Sequence, residues 1–129
     1  MGTSIIQEKK FQFALLIIEV YRKLQIEKEF VLSKQLLRSG TSIGASVEEA
    51  LAGQSRRDFL SKMSIASKEA RETRYWLRLL RTSKLTAVDL KHSIAEIDEI
   101  IRILTSIVKT TATTAPVTST QNSKLKTQN

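Results

Sequence analysis

The sequence predicts an all-α protein, four helices packed as a bundle, and three observations carry that prediction. Four segments place apolar residues at alternating spacings of four and three, which is the repeat of one buried helical face. Short polar links with capping and turn residues separate these segments. The chain of 129 residues is long enough for one domain and hardly for two.

The first helix is expected from about Ser4 to about Gln25, with Phe13, Ile17, Val20 and Leu24 as its seam. Phe11, Ala14, Leu15, Leu16, Ile18 and Tyr21 fill most of the remaining circumference. A helix apolar nearly all round is buried on more than one side. The second partner is either another subunit or a thick core that leaves a few apolar residues wet.

A polar link at 26–30 leads to the second helix, where Leu36, Gly40, Ile43, Val47 and Ala50 keep the heptad-like spacing of bundle seams. Gly40 and Gly44 fall on one helical face. Glycine in a helix interior is less stable than alanine by roughly 0.5–1 kcal/mol. The compensation expected here is close approach of a neighbouring backbone. The pair resembles a membrane GxxxG, but Lys34, Arg38, Glu48 and Glu49 forbid a bilayer span. No GxGxxG or GxxxxGK[ST] is present, so a phosphate-cradling loop finds no support.

Gly53 is expected to end this helix as a left-handed residue. Ser55-Arg-Arg-Asp58 is a capping-box pattern that opens the third helix. Phe59, Met63, Ala66, Ala70, Thr73, Leu77 and Leu80 then run three heptads unbroken. Ile65, Trp76 and Leu79 widen this face, and Glu69 and Glu72 project beside them. Lys62, Lys68 and Arg71, or basic residues of another helix or subunit, are their candidate partners. Thr86-Ala-Val-Asp89 repeats the capping pattern and is expected to open the fourth helix. Leu90, Ile94, Ile97, Ile101, Leu104 and Val108 form its seam, with Ile100, Ile103 and Ile107 as a second stripe. The bundle is therefore placed at residues 4–109. Residues 110–129, polar and aperiodic, bury too little to offset their ordering entropy and are expected to be a flexible tail.

The inventory argues against catalysis. There is no cysteine and one histidine, His92. Asp89 and His92 have the spacing of a carboxylate–histidine metal pair, but a di-iron bundle needs Glu-x-x-His on two helices and two further glutamates. A structural network explains Glu48, Glu49, Glu69 and Glu72 more simply than a catalytic carboxylate cluster. The expectation is no enzyme, no metal and no cofactor. The sequence shows no signal peptide. Its longest apolar run, Phe13 to Ile18, is far short of a bilayer span, so a soluble, cytoplasmic protein is expected.

Charge is more informative. The net charge is +8, from 21 Lys+Arg and 13 Asp+Glu. Between Ser55 and Lys84 nine bases face three acids, an excess that makes up most of that total. Arg71, Arg74, Arg78 and Arg81 step 3-4-3 and so form one stripe beside the apolar seam. The stripe can track a phosphate backbone. Alternatively the arginines pair with Glu96, Asp98 and Glu99 of the fourth helix or face water, as charges flanking bundle seams do. Tyr75 and Trp76 are the only aromatics nearby, and Trp76 is read as buried, which favours duplex or structured RNA over splayed single strands.

Three stretches carry a family resemblance: Arg38-Ser-Gly-Thr-Ser-Ile-Gly-Ala-Ser-Val-Glu-Glu-Ala50, Asp58-Phe59, and Ile65-Ala-Ser-Lys-Glu-Ala-Arg-Glu-Thr-Arg-Tyr-Trp-Leu77. They resemble the bacterial four-helix-bundle proteins encoded by intervening sequences in 23S ribosomal RNA genes, over roughly residues 4 to 109. Ala45-Ser46 stands where that family often has Ala-Asn. The resemblance implies an antiparallel up-down-up-down bundle and a homopentameric barrel. It extends to the accessory variability protein of diversity-generating retroelements, a partner of reverse transcriptase with a basic surface for nucleic acid. The function expected is a non-enzymatic oligomeric scaffold that binds structured RNA or a ribonucleoprotein partner through its third helix. The alternative is a protein–protein interaction module that binds no nucleic acid.

Overall fold

The computed structural model describes residues 2–113. Four helices make up the fold: α1 (Gly2–Ile26), α2 (Leu32–Leu51), α3 (Arg56–Ser83) and α4 (Lys91–Thr113). Each packs against two neighbours, α1 on α2 and α4, α3 on α2 and α4, and among the described residues the backbones do not approach closely across either diagonal. Side-chain pairs give the directions. Lys10 reaches Glu48 while Ile17 lies over Gly40. Ser46 bonds Glu69 while Ser39 meets Thr73. Arg71 meets Thr105 while Arg74 meets Asp98. In every case the later residue of one helix meets the earlier residue of the next, so the bundle is antiparallel, up-down-up-down. The links are too short for any crossover.

The seams read from spacing are the core. Phe13, Ile17, Val20 and Leu24 are buried, as are Leu36, Ile43, Val47, Ala50, Met63, Ala66, Ala70, Leu77, Leu80, Leu90, Ile97, Ile101 and Leu104. Each large aliphatic side chain so buried contributes about 1.5–3 kcal/mol relative to exposure. Phe59, Ile94 and Val108 pack at the margin. The outer side of α1 stays wet: Phe11 is 59 % exposed, Leu15 47 % and Ile26 81 %.

The close approach of α1 and α2 happens at Gly40. A Cβ there would lie 2.9 Å from Ile17 Cγ2 and 3.1 Å from Ile17 Cγ1, closer than carbon atoms pack. Gly44 is looser. Its Cβ would sit 3.8 Å from the Lys10 side chain and backbone, an ordinary contact. The space over Gly44 is where the Lys10 stem crosses α2 to reach Glu48, 2.7 Å away.

The helix ends correct three expectations. Gly53 is not left-handed; no described glycine has positive φ. Its small size matters instead, because a Cβ would come within 2.7 Å of Asp58 Oδ2 and 3.0 Å of the Ala50 carbonyl oxygen. The left-handed residues are Lys28 (φ 63°) after α1 and Lys84 (φ 60°) after α3. At Lys28 the Glu29 N–H donates back to the Leu24 carbonyl and the Lys28 N–H to Gln25, the six-to-one and five-to-two bonds of a Schellman end.

Ser55 does cap α3, accepting the Asp58 N–H at 3.0 Å. Thr86–Asp89 does not open α4, which begins at Lys91. Glu27, at the far end of α1, takes the Thr86 hydroxyl and the Ala87 N–H. That clamp holds the link out of the helix, and Asp89, three residues later, accepts the Lys91 N–H at 3.0 Å where the helix begins. At its other end α4 runs through Thr113, past the boundary expected at 109. The rest of the expected tail, 114–129, lies outside the described residues.

Candidate nucleic-acid interface

The four arginines lie on one edge of α3, facing α4, and they are not equivalent. Arg74 is half-buried and pairs with Asp98, Nη1 to Oδ1 3.3 Å. Arg71 is exposed and donates to the Thr105 hydroxyl at 3.1 Å. Arg78 and Arg81 are exposed and have no side-chain partner among the described residues. The pairing alternative thus holds for Arg74 with Asp98 alone. Glu96 and Glu99 turn the other way, to Lys9 of α1, at 3.3 and 3.0 Å. The hydrogen bond that Lys9 donates to Glu99, then the one it donates to Glu96 and the charge of both carboxylates, hold its ammonium above the ordinary 10.5 against the opposing effect of burial.

This division of acids makes the edge basic. On α4, Lys91, Asp98, Arg102, Thr105 and Lys109 share a row at helical spacing, and its middle members meet Arg71 and Arg74. Lys91, Arg102 and Lys109 are exposed. The α3 and α4 rows together carry seven cations, and Asp98 is their one carboxylate. Spacing on α3 alone identified four of the seven. The α4 row carries the same signal at 7-4-3-4 spacing, but its significance depends on which side of α4 meets α3.

Outside this edge, the glutamates of α3 pair with side chains of α2 and with Trp76 of α3, and with none of α3's own described basic residues. Glu72 takes the Arg38 guanidinium and the Trp76 indole N–H, the latter at 3.0 Å. Glu69 accepts the Ser46 hydroxyl at 2.7 Å. Lys62 pairs with Glu49 at 3.3 Å. The position where the family often has Asn is therefore a buried serine that holds Glu69. Ser39 and Thr73 meet through their hydroxyls in the core, at 2.9 Å and both fully buried.

Along α3, residues Arg71, Arg74, Tyr75, Arg78, Leu79 and Thr82 line an open depression of about 480 Å³. Thr82 had no assigned role from spacing, Leu79 was expected to widen the apolar face and Tyr75 was noted only as a nearby aromatic; here all three are exposed and complete a 3-1-3-1-3 face with the arginines. His92 is exposed and borders a second depression, with Gln12, Leu15, Glu19 and Glu96. No three of the described His, Asp and Glu residues are arranged to hold a metal ion. No helix among the described residues is long and apolar enough to cross a membrane.

The fold and its edge define an antiparallel four-helix-bundle protein with one strongly basic side. The chain belongs to the 23S rRNA-intervening sequence protein family, whose model matches residues 3–106. It is also similar to a crystal structure of a protein with unknown function from the S23 ribosomal protein family of Bacteroides thetaiotaomicron VPI-5482. The two are 46 % identical with a TM-score of 0.78, over 84 % of this chain and 99 % of that one. No curated protein matches the chain.

Proposed function

We propose that this protein is a non-enzymatic scaffold that assembles with copies of itself and binds structured RNA, alone or within a ribonucleoprotein, through the α3–α4 edge. One observation carries the reading: two facing helical rows hold seven cations against a single carboxylate, while the other acids of α4 are drawn off to Lys9. Two neighbouring rows can follow a phosphate backbone, whose neutralisation supplies sequence-independent affinity. Double-stranded RNA is read largely by shape and phosphate contacts, which suits rigid helices. Assembly is supported by the outer face of α1, where Phe11, Leu15 and Ile26 remain exposed. The number of subunits, five, rests on the family resemblance alone. A cytoplasmic location goes with an RNA partner and is part of the same proposal.

Gel-shift titration of an RNA duplex at two salt concentrations tests the binding. A shift at ~50 mM salt that weakens steeply as salt rises is expected. Replacing Arg78 and Arg81 by glutamine removes two cations that have no side-chain partner among the described residues, so each should flatten the salt slope by roughly 0.7–0.9 with oligomer size unchanged. No shift at the lower salt removes the RNA reading. The alternative, a protein-interaction module, draws on the exposed Tyr75 and Leu79 between the arginines, which would also suit an acidic protein surface. Light scattering with and without RNA reports assembly: a monomer at micromolar concentration refutes it, and a dimer or tetramer refutes only the number.

A further inference from the structure

The depression on α3 holds something a phosphate-tracking surface has no use for, an exposed aromatic ring held in place. Tyr75 is 58 % exposed. Its ring and that of Trp76 form an edge-to-face pair, with centroids 5.2 Å apart and planes at 68°. Trp76 is fixed in turn by its N–H bond to Glu72, and Glu72 by Arg38 of α2. The ring is therefore braced from behind by a chain of contacts that reaches the neighbouring helix.

The charges around the ring are graded. Arg71, one turn before Tyr75, is oriented by Thr105, and Arg74 by Asp98. Arg78, one turn after, has no partner among the described residues. The backbone positions of Arg71 and Arg78 thus lie about 6 Å and about 4.5 Å along the helix axis on either side of that of Tyr75. Leu79, one turn beyond Tyr75, extends the apolar floor. At about 480 Å³ the depression falls within the size range of small-ligand sites, roughly 300–1,000 Å³.

We propose that this depression is a subsite for one unpaired nucleotide, its base stacked on Tyr75 and its phosphate on Arg78. The basic edge then prefers RNA with a bulged or looped-out nucleotide over uninterrupted duplex. Unpaired bases stacked on aromatic side chains are the usual means by which proteins recognise structured RNA at particular places. An acidic peptide would use the arginines but gain little from the ring face. The inference rests on the RNA-binding reading and refines it, since the cationic rows bind the flanking duplex.

The test compares one duplex RNA with the same duplex carrying a single-nucleotide bulge, using the full chain at ~100 mM salt. Gel shift and the emission of Trp76, the one tryptophan of the chain, are the readouts. Wild-type protein should bind the bulged RNA roughly tenfold more tightly, the scale of a single base–aromatic stack. Trp76 emission should change with the bulged RNA only. Tyr75→Ala should erase the preference without changing duplex affinity or its salt slope, and Tyr75→Phe should retain it. Tyr75→Leu, which keeps bulk without a π-face, should behave as the alanine variant and guards against a folding defect. Equal wild-type affinity for the two RNAs, or equal losses on both in Tyr75→Ala, overturns the nucleotide subsite and leaves duplex binding standing. Binding of poly-glutamate that depends on Tyr75 overturns it in favour of an acidic peptide. Failure to bind either RNA, even at ~50 mM salt, removes the RNA-binding reading and the subsite with it.

Discussion

Gly40 and Gly44 lie one helical turn apart on α2, and the packing around them predicts opposite responses to the same substitution. At Gly40 a methyl group would sit 2.9 Å from Ile17 Cγ2 and 3.1 Å from Cγ1, and Ile17 is fully buried. A β-branched side chain in a helix has essentially one rotamer, so Ile17 cannot turn aside. Overpacking of this kind destabilises by about 1–3 kcal/mol. Removing a helical glycine returns about 0.5–1 kcal/mol. Gly40→Ala should therefore lose up to about 2.5 kcal/mol net. At Gly44 the nearest atoms are 3.8 Å away, so the methyl group fits. Gly44→Ala should gain about 0.5–1 kcal/mol, mostly through the unfolded chain.

Urea unfolding followed by far-UV circular dichroism measures both, at one fixed protein concentration because self-association would shift the midpoint. The midpoints should move in opposite directions with the slope unchanged. Ile17→Leu removes the Cγ2 branch, and in that background Gly40→Ala should be less harmful. A Gly40→Ala midpoint as high as that of Gly44→Ala, or an effect unaltered by Ile17→Leu, refutes the close-approach argument. Gly44→Leu is a harsher change, since it displaces the Lys10 stem and with it the Glu48 pair.

Thr73→Val should destabilise by about 1–3 kcal/mol, since it leaves the buried Ser39 hydroxyl with only its long 3.5 Å bond to the Leu36 carbonyl. Adding Ser39→Ala should recover most of that in a double-mutant cycle, and strict additivity would contradict the pairing. Glu29 takes the place of an N-cap side chain on α2, its carboxylate accepting the N–H groups of Val31, Leu32 and Ser33 at 3.3, 3.1 and 2.7 Å. Glu29→Ala should lose about 1 kcal/mol and speed hydrogen exchange at Leu32 and Ser33; unchanged protection there would count against the cap. The raised Lys9 ammonium contributes stability that is fully present below pH 10.5 and lost as pH rises through its higher folded value. Lys9→Gln should lower stability below that pH and remove this part of the alkaline fall, so an alkaline limb identical to wild type would refute the linkage.

The helices and their inward faces were legible because helical periodicity is local. Phe13, Ile17, Val20 and Leu24 repeat within one turn or two of each other, and no knowledge of the neighbours is needed to place them on one side. The Ser55 cap was legible for the same reason, its donor being three residues away. Gly53 and Thr86 misled local reasoning because contacts from elsewhere decide both. Asp58 folds back over Gly53, and Glu27 reaches across 59 residues to hold Thr86 out of α4.

The site divides in the same way. That Arg71, Arg74, Arg78 and Arg81 share a stripe follows from their spacing. Which of them is already engaged does not, because Arg71 meets Thr105 across 34 residues and Arg74 meets Asp98 across 24. Glu96 and Glu99 were equally good partners on charge and on spacing. The relative rotation of α4 turns them toward Lys9 and leaves Arg78 and Arg81 open. Charge and periodicity are properties of a segment, so the sequence by itself determined the bundle and its basic stripe. Pairing is a property of the register between segments, and only tertiary packing sets that register.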